Sequence, residues 1–140
     1  MMGIEVRRYY LGLICLQALH STEEVLFGFY ARLSEITGYT HEIIPVYPVF
    51  SISRSSFVFI NIVLVAVLFA LVPAAYRGGR WIRCFVIMAA VAEFFNGLAH
   101  LSMAVIVGGY FPGAMSAIGL LIVAIILFRL AVCAPKTVNA

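Results

Sequence analysis

Charge is scarce in this sequence. Only 11% of its 140 residues are charged, against 64% hydrophobic, and the mean hydropathy is +1.10. A water-soluble domain of that composition would expose large apolar patches and aggregate, so the expected solvent is lipid. Basic residues are also missing from any stripe or run. The net charge of +3 comes from arginines and one lysine at the ends of apolar stretches, which excludes a nucleic-acid surface and marks membrane flanks. Cysteine is limited to Cys15, Cys84 and Cys133, without CxxC spacing, which excludes a disulfide framework and a structural zinc site. A small-x-small cleavage site is lacking after the first apolar stretch, so that segment is read as retained rather than as a signal peptide.

What remains is apolar runs separated by breakers. A spanning helix needs about 20 apolar residues. Four segments qualify, at about 9–33, 57–76, 81–107 and 113–133, within a single integral membrane domain covering 1–140. Gly38, Pro45 and Pro48 mark 34–53 as an interfacial loop, and Arg77-Gly78-Gly79-Arg80 and Gly108–Gly113 mark turns. The expected fold is therefore all-α, a multi-pass four-helix bundle in the inner or plasma membrane. Arg7, Arg8, Arg77, Arg80, Arg83, Arg129 and Lys136 fall on one side, with Arg32 and Arg54 on the other. The positive-inside rule then makes both termini cytoplasmic.

Two of these segments carry charge in their interior. His20, Glu23 and Glu24 share one face of the first, and Glu93, Asn96 and His100 share one face of the third. The two segments run parallel, which sets both clusters near mid-membrane and predicts direct packing between them. A charged side chain at the centre of a spanning helix costs about 2.5–3.5 kcal/mol on insertion. Three glutamates are therefore an improbable choice of glue where serine or asparagine would serve, and a functional site is the stronger reading. Gln17 and Ser102 read as supporting residues, Asn61 as ambiguous, and His41 and Glu42 as solvated.

Imidazole with carboxylate suits a divalent ion such as zinc or non-haem iron. On that reading His20, Glu24 and His100 are metal ligands, and Glu23 or Glu93 is the base that activates water, with Asn96 and Tyr110 in supporting catalytic roles. The leading function is a metal-dependent enzyme, a hydrolase, acting on a lipid or isoprenoid that enters from the bilayer. A metal-free isomerase or cyclase of isoprenoid-like substrates is the alternative, because one carboxylate in such a cluster stays protonated beside an ionised one. A third, non-enzymatic reading is a proton-coupled or metal transporter, which at this length requires oligomers; the sequence leaves the oligomeric state open.

The order of HSTEE (20–24), NGLAH (96–100) and YFPG (110–113) resembles the HXXEE family of small integral membrane proteins, which carries HxxEE, NxxxH and YxPG motifs. The resemblance implies His20, Glu23, Glu24, Asn96, His100, Tyr110, Pro112 and Gly113 as functional positions; Glu93 is added from spacing alone. Where the family often has threonine three residues after the YxPG glycine, this chain has Ser116, which keeps the hydroxyl. The resemblance implies no particular reaction.

Overall fold

The computed structural model describes residues 3–133, and Lys136, counted above among the flanking cations, lies outside them. The described chain is all-helical: α1 (Ile4–Leu26), α2 (Phe29–Ile43), α3 (Arg54–Ala70), α4 (Val72–Arg77), α5 (Arg80–Ile106) and α6 (Ala114–Cys133). Two expected boundaries move. The first segment ends at Leu26 rather than Leu33, because Gly28 takes a left-handed conformation (φ +75°) that turns the chain into α2. The expected loop is helical as far as Ile43. Gly38 alone costs a helix only about 1 kcal/mol relative to alanine, and the helix stops just before Pro45.

Among the described residues three helical stretches, not the expected four, are long and apolar enough by themselves to cross a membrane: Arg54–Arg77, Arg80–Ile106 and Ala114–Cys133. The first of these is α3 and α4 together, interrupted at Leu71 just ahead of Pro73. Helix α1 is long enough at 23 residues, but Glu5, Arg7, Arg8, Glu23 and Glu24 dilute its apolar character. The fold resolves the mismatch by burial. Helix α1 packs against α6, α3 and, more lightly, α5, while apolar residues such as Phe59, Ile62, Met88, Ile118 and Ile122 face outward.

Residues along α1 divide the bundle into two zones. Its first half buries Val6, Tyr10, Leu13 and Ile14 against Leu68, Ile82, Val86, Leu120, Ala124 and Leu127, an apolar base. At its edge the Tyr10 hydroxyl donates to the Leu68 carbonyl (2.9 Å). The second half of α1 buries Gln17, His20, Ser21, Glu23 and Glu24 instead. Arginines gather beyond the apolar base. Arg7 lies over the Tyr76 ring, 5.3 Å from its centroid, and Arg83 donates to the carbonyls of Ala131 and Val132. These contacts bring the start of α1, the end of α4, the start of α5 and the end of α6 together.

The sequence predicts direct packing of α1 on α5, and their polar clusters do meet, with His100 Nε2 3.1 Å from Glu24 Oε1; the backbones touch only lightly, and α6 packs extensively against both. Gly97 makes the α5–α6 approach close, since a Cβ there would lie 3.1 Å from the Ala117 carbonyl oxygen. The polar face of α1 therefore meets that of α5 across the first turns of α6.

Candidate metal and carboxylate site

Gly113 immediately precedes α6, and its φ of +90° favours glycine. Space requires glycine there as well. A Cβ at 113 would lie 2.6 Å from His100 Nδ1 and 2.8 Å from His20 Cε1. Both imidazoles thus rest on one bare stretch of backbone. A glycine cannot cap the helix it starts, because it has no side-chain oxygen. Glu23 of α1 supplies the cap. Its Oε1 accepts from the Met115 amide (3.1 Å) and the Tyr110 hydroxyl (2.8 Å), and its Oε2 accepts from the Ser116 amide (2.9 Å) and the Ser116 hydroxyl. Donors meet both oxygens, so this carboxylate is ionised and committed to holding α6. Its expected role as a water-activating base does not suit that engagement. Burial, followed by the bond to Glu23, pushes the Tyr110 phenol up to about 12, so Tyr110 remains a donor throughout the physiological range.

Ser116 has one hydroxyl proton, and Glu23 takes it. Its oxygen then accepts from His20 Nδ1 (2.9 Å), which places the ring proton on Nδ1. The same logic holds for His100, whose Nδ1 lies 2.6 Å from the Pro112 carbonyl, an obligate acceptor. With both Nδ1 atoms protonated, both Nε2 atoms present lone pairs, and both face Glu24. His100 Nε2 lies 3.1 Å and His20 Nε2 3.6 Å from Glu24 Oε1. The three residues are buried, with their donor atoms within 4.8 Å of one another.

That spacing can be compared with what an ion needs. Tetrahedral donors about 2.1 Å from an ion stand about 3.4 Å apart, and the two imidazole-to-carboxylate separations, 3.1 and 3.6 Å, bracket the value. A shared proton is the simpler alternative, and it serves the His100–Glu24 pair well. It leaves His20 Nε2, which is buried and without a hydrogen-bond partner. Among the described residues the only other such atom is Arg7 Nε, in a side chain that lies over the Tyr76 ring. An imidazole held by a hydrogen bond at Nδ1, with a free Nε2 in a carboxylate cluster, has the outer-shell arrangement typical of metal-binding histidines.

Aromatic rings wall the site. Phe29 lies 4.9 Å and Phe111 5.7 Å from the His100 ring, and Phe57 lies 5.8 Å from Phe29. They exclude water and so strengthen the electrostatic interactions inside.

Of the residues expected from sequence, His20, Glu24 and His100 come together as one cluster, and Glu23 and Tyr110 form a second around Ser116. Glu93 belongs to a third, with Asn96 (3.2 Å) and Gln17. Glu23 and Glu24 lie in the last turn of α1 rather than near its middle, whereas Glu93 is central in α5. His41 and Glu42 are exposed, as expected, and take no part. The sequence reading underweighted Ser116 and Asn61. Ser116 joins His20 to Glu23, and Asn61 accepts from Ser21 (2.6 Å). The signal was present, since Asn61 is the one strongly polar residue in the apolar segment 57–76.

No curated protein and no solved structure matches this chain. The sequence model of one family, described as a protein of unknown function with an HXXEE motif, matches residues 11–128. That match covers most of the chain, including every residue of the three clusters, and on it the protein belongs to the HXXEE family.

Proposed function

We propose that the protein is a metal-dependent enzyme of the membrane, a hydrolase acting on a lipid or isoprenoid substrate, with a divalent ion such as zinc or iron held by His20, Glu24 and His100. The observation that carries this reading is the buried, unpartnered Nε2 of His20, aimed with a second imidazole at one carboxylate oxygen. Three protein ligands leave a coordination position for water or substrate, as in catalytic rather than structural zinc sites. An ion there would lower the pKa of bound water and polarise a substrate oxygen. Hydrolysis adds the water's OH to the acyl or phosphoryl centre and its remaining proton to the leaving oxygen. The aromatic wall of Phe29, Phe57 and Phe111 supports an apolar substrate.

The test is hydrolysis of lipid esters by protein in bilayer nanodiscs. Activity should vanish with a chelator and return with zinc or iron. Chelator-resistant turnover would transfer the reading to the acid–base isomerase, with the glutamates as acid and base.

We infer further that α1 crosses the bilayer inside a jacket formed by the three apolar stretches, with the arginine-bearing end of the bundle in the cytoplasm. The supporting observation is the gathering of Arg7, Arg77, Arg80 and Arg83 at the apolar base, away from the polar zone. Single cysteines at 78 and 109, probed with a membrane-impermeant thiol reagent in intact cells, should react only at 109. Labelling at 78 instead would invert the orientation, and labelling at both would remove the bundle from the membrane.

A further inference from the structure

A line of hydrogen bonds beginning away from the two histidines has a fixed direction. Its far end is the Phe57 carbonyl, which can only accept. Asn61 Nδ2 donates to it (3.1 Å), so Asn61 Oδ1 is the pole that faces Ser21. Ser21 Oγ donates to that oxygen at 2.6 Å, which uses the one proton the hydroxyl has. Gln17 must then present its NH2 to Ser21 (3.2 Å) and its carbonyl to Glu93, where Oε1 lies 2.8 Å from Glu93 Oε2 and 3.2 Å from Glu93 Oε1. Two acceptors at 2.8 Å repel unless one of them carries a proton, and an amide carbonyl does not.

We propose that Glu93 is a proton-loaded carboxylic acid in the resting protein, a proton-binding site whose charge is read by the orientation of the Gln17 amide. With the proton on Oε2, every link from Glu93 to Phe57 is satisfied and runs one way. Asn96 Nδ2 still donates to the same oxygen (3.2 Å), which has a lone pair to spare. When the proton leaves, the Oε2–H bond breaks and the carboxylate keeps the electron pair. Gln17 can then turn its amide over, so that its NH2 stands 2.8 and 3.2 Å from the two carboxylate oxygens. That turn leaves the single proton of Ser21 facing two acceptors, Gln17 at 3.2 Å and Asn61 at 2.6 Å. The strained arrangement favours recapture of a proton. Glu93 is therefore a donor that resets itself. Its acceptor, on the hydrolase reading above, is the leaving oxygen of the substrate; the loaded state itself does not depend on that reading or on any ion.

The test is infrared spectroscopy of the protein in lipid bilayers at neutral pH. The wild type should show the carbonyl stretch of an un-ionised carboxylic acid, moving to lower frequency in D2O. Glu93→Gln should remove that band. Gln17→Leu, which deletes the acceptor, should keep the band and raise its frequency; it also serves as the second variant if Glu93→Gln does not fold. A folded wild type without the band overturns the proposal, as does a band that neither substitution changes. Failure of the metal reading would appear separately, as absence of an ion in elemental analysis with the carbonyl band intact.

Discussion

Replacing His100 with alanine should abolish binding of the divalent ion proposed above. Wild-type protein purified without chelator should carry about one ion per chain, and His100→Ala and His20→Ala less than about a tenth of that, because each removes one of three protein ligands. Glu24→Gln should also weaken binding, since it exchanges a charged oxygen donor for a neutral amide. The outer bonds should have smaller effects. Ser116→Ala frees His20 Nδ1 without touching the ligand set, and lost outer-shell partners typically cost about 10–100-fold in affinity. Elemental analysis with a competitive chelator titration measures all four. The graded order separates ligation from mere unfolding, because Ser116→Ala also removes a bond to Glu23 and would be among the worst variants if fold alone were at stake. Full occupancy in both histidine variants would end the metal reading.

Gly113→Ala should be the most destructive single methyl group in the chain. A φ of +90° is unfavourable for any L side chain, and strained backbone of this kind costs about 1–3 kcal/mol. The added Cβ would also sit 2.6–2.8 Å from both imidazoles, and overpacking costs a further ~1–3 kcal/mol. A total of about 2–6 kcal/mol is comparable with the whole stability of many domains. If the helices hold, the rings must retreat, taking His100 from Pro112 and His20 from Ser116. Thermal unfolding in detergent should show a fall of several degrees or more, and the remaining folded protein should have lost its ion. Alanine at Gly109, where a Cβ meets nothing within 4 Å, is the control and should behave as wild type. Equal stability of the two variants would mean that the imidazoles do not rest on this backbone.

The polar face of α1 and that of α5 were legible in the sequence because helical spacing alone sets His20, Glu23 and Glu24, or Glu93, Asn96 and His100, on one side of a helix. The grouping of His20 with Glu24 and His100 followed from ligand chemistry, and the structure brings those three donors together. Two things were not legible. Spacing cannot say which of two adjacent carboxylates turns to which neighbour, and the bonds from Tyr110, Met115 and Ser116 that claim Glu23 come from residues about ninety positions away. Nor can hydropathy see burial. Helix α1 reads as one more span because apolar residues dominate it, yet its charges leave it short of the other three, and its place at the centre depends on a jacket that only the complete chain supplies. The end of α1 was misplaced because Gly28 lies inside a run with no proline, and one glycine can either stay in a helix or turn it; the left-handed φ shows that here it turns.

The bond between Glu23 and the Ser116 amide spans 93 residues of sequence, and that separation has a consequence in time. At a synthesis rate of about 5–20 residues per second, the first turn of α6 leaves the ribosome roughly 5–20 s after Glu23 does. Throughout that interval α1, which is less apolar than the three spanning stretches, lacks α6, the helix that completes its surroundings. On the bilayer reading proposed above, the carboxylates of α1 wait at the membrane surface or beside the insertion machinery until α6 arrives. A chain cut short between α5 and α6 would therefore keep two apolar arms, α3–α4 and α5, and an α1 with no settled place. Quality control could recognise such an unfinished product by a single unanswered glutamate.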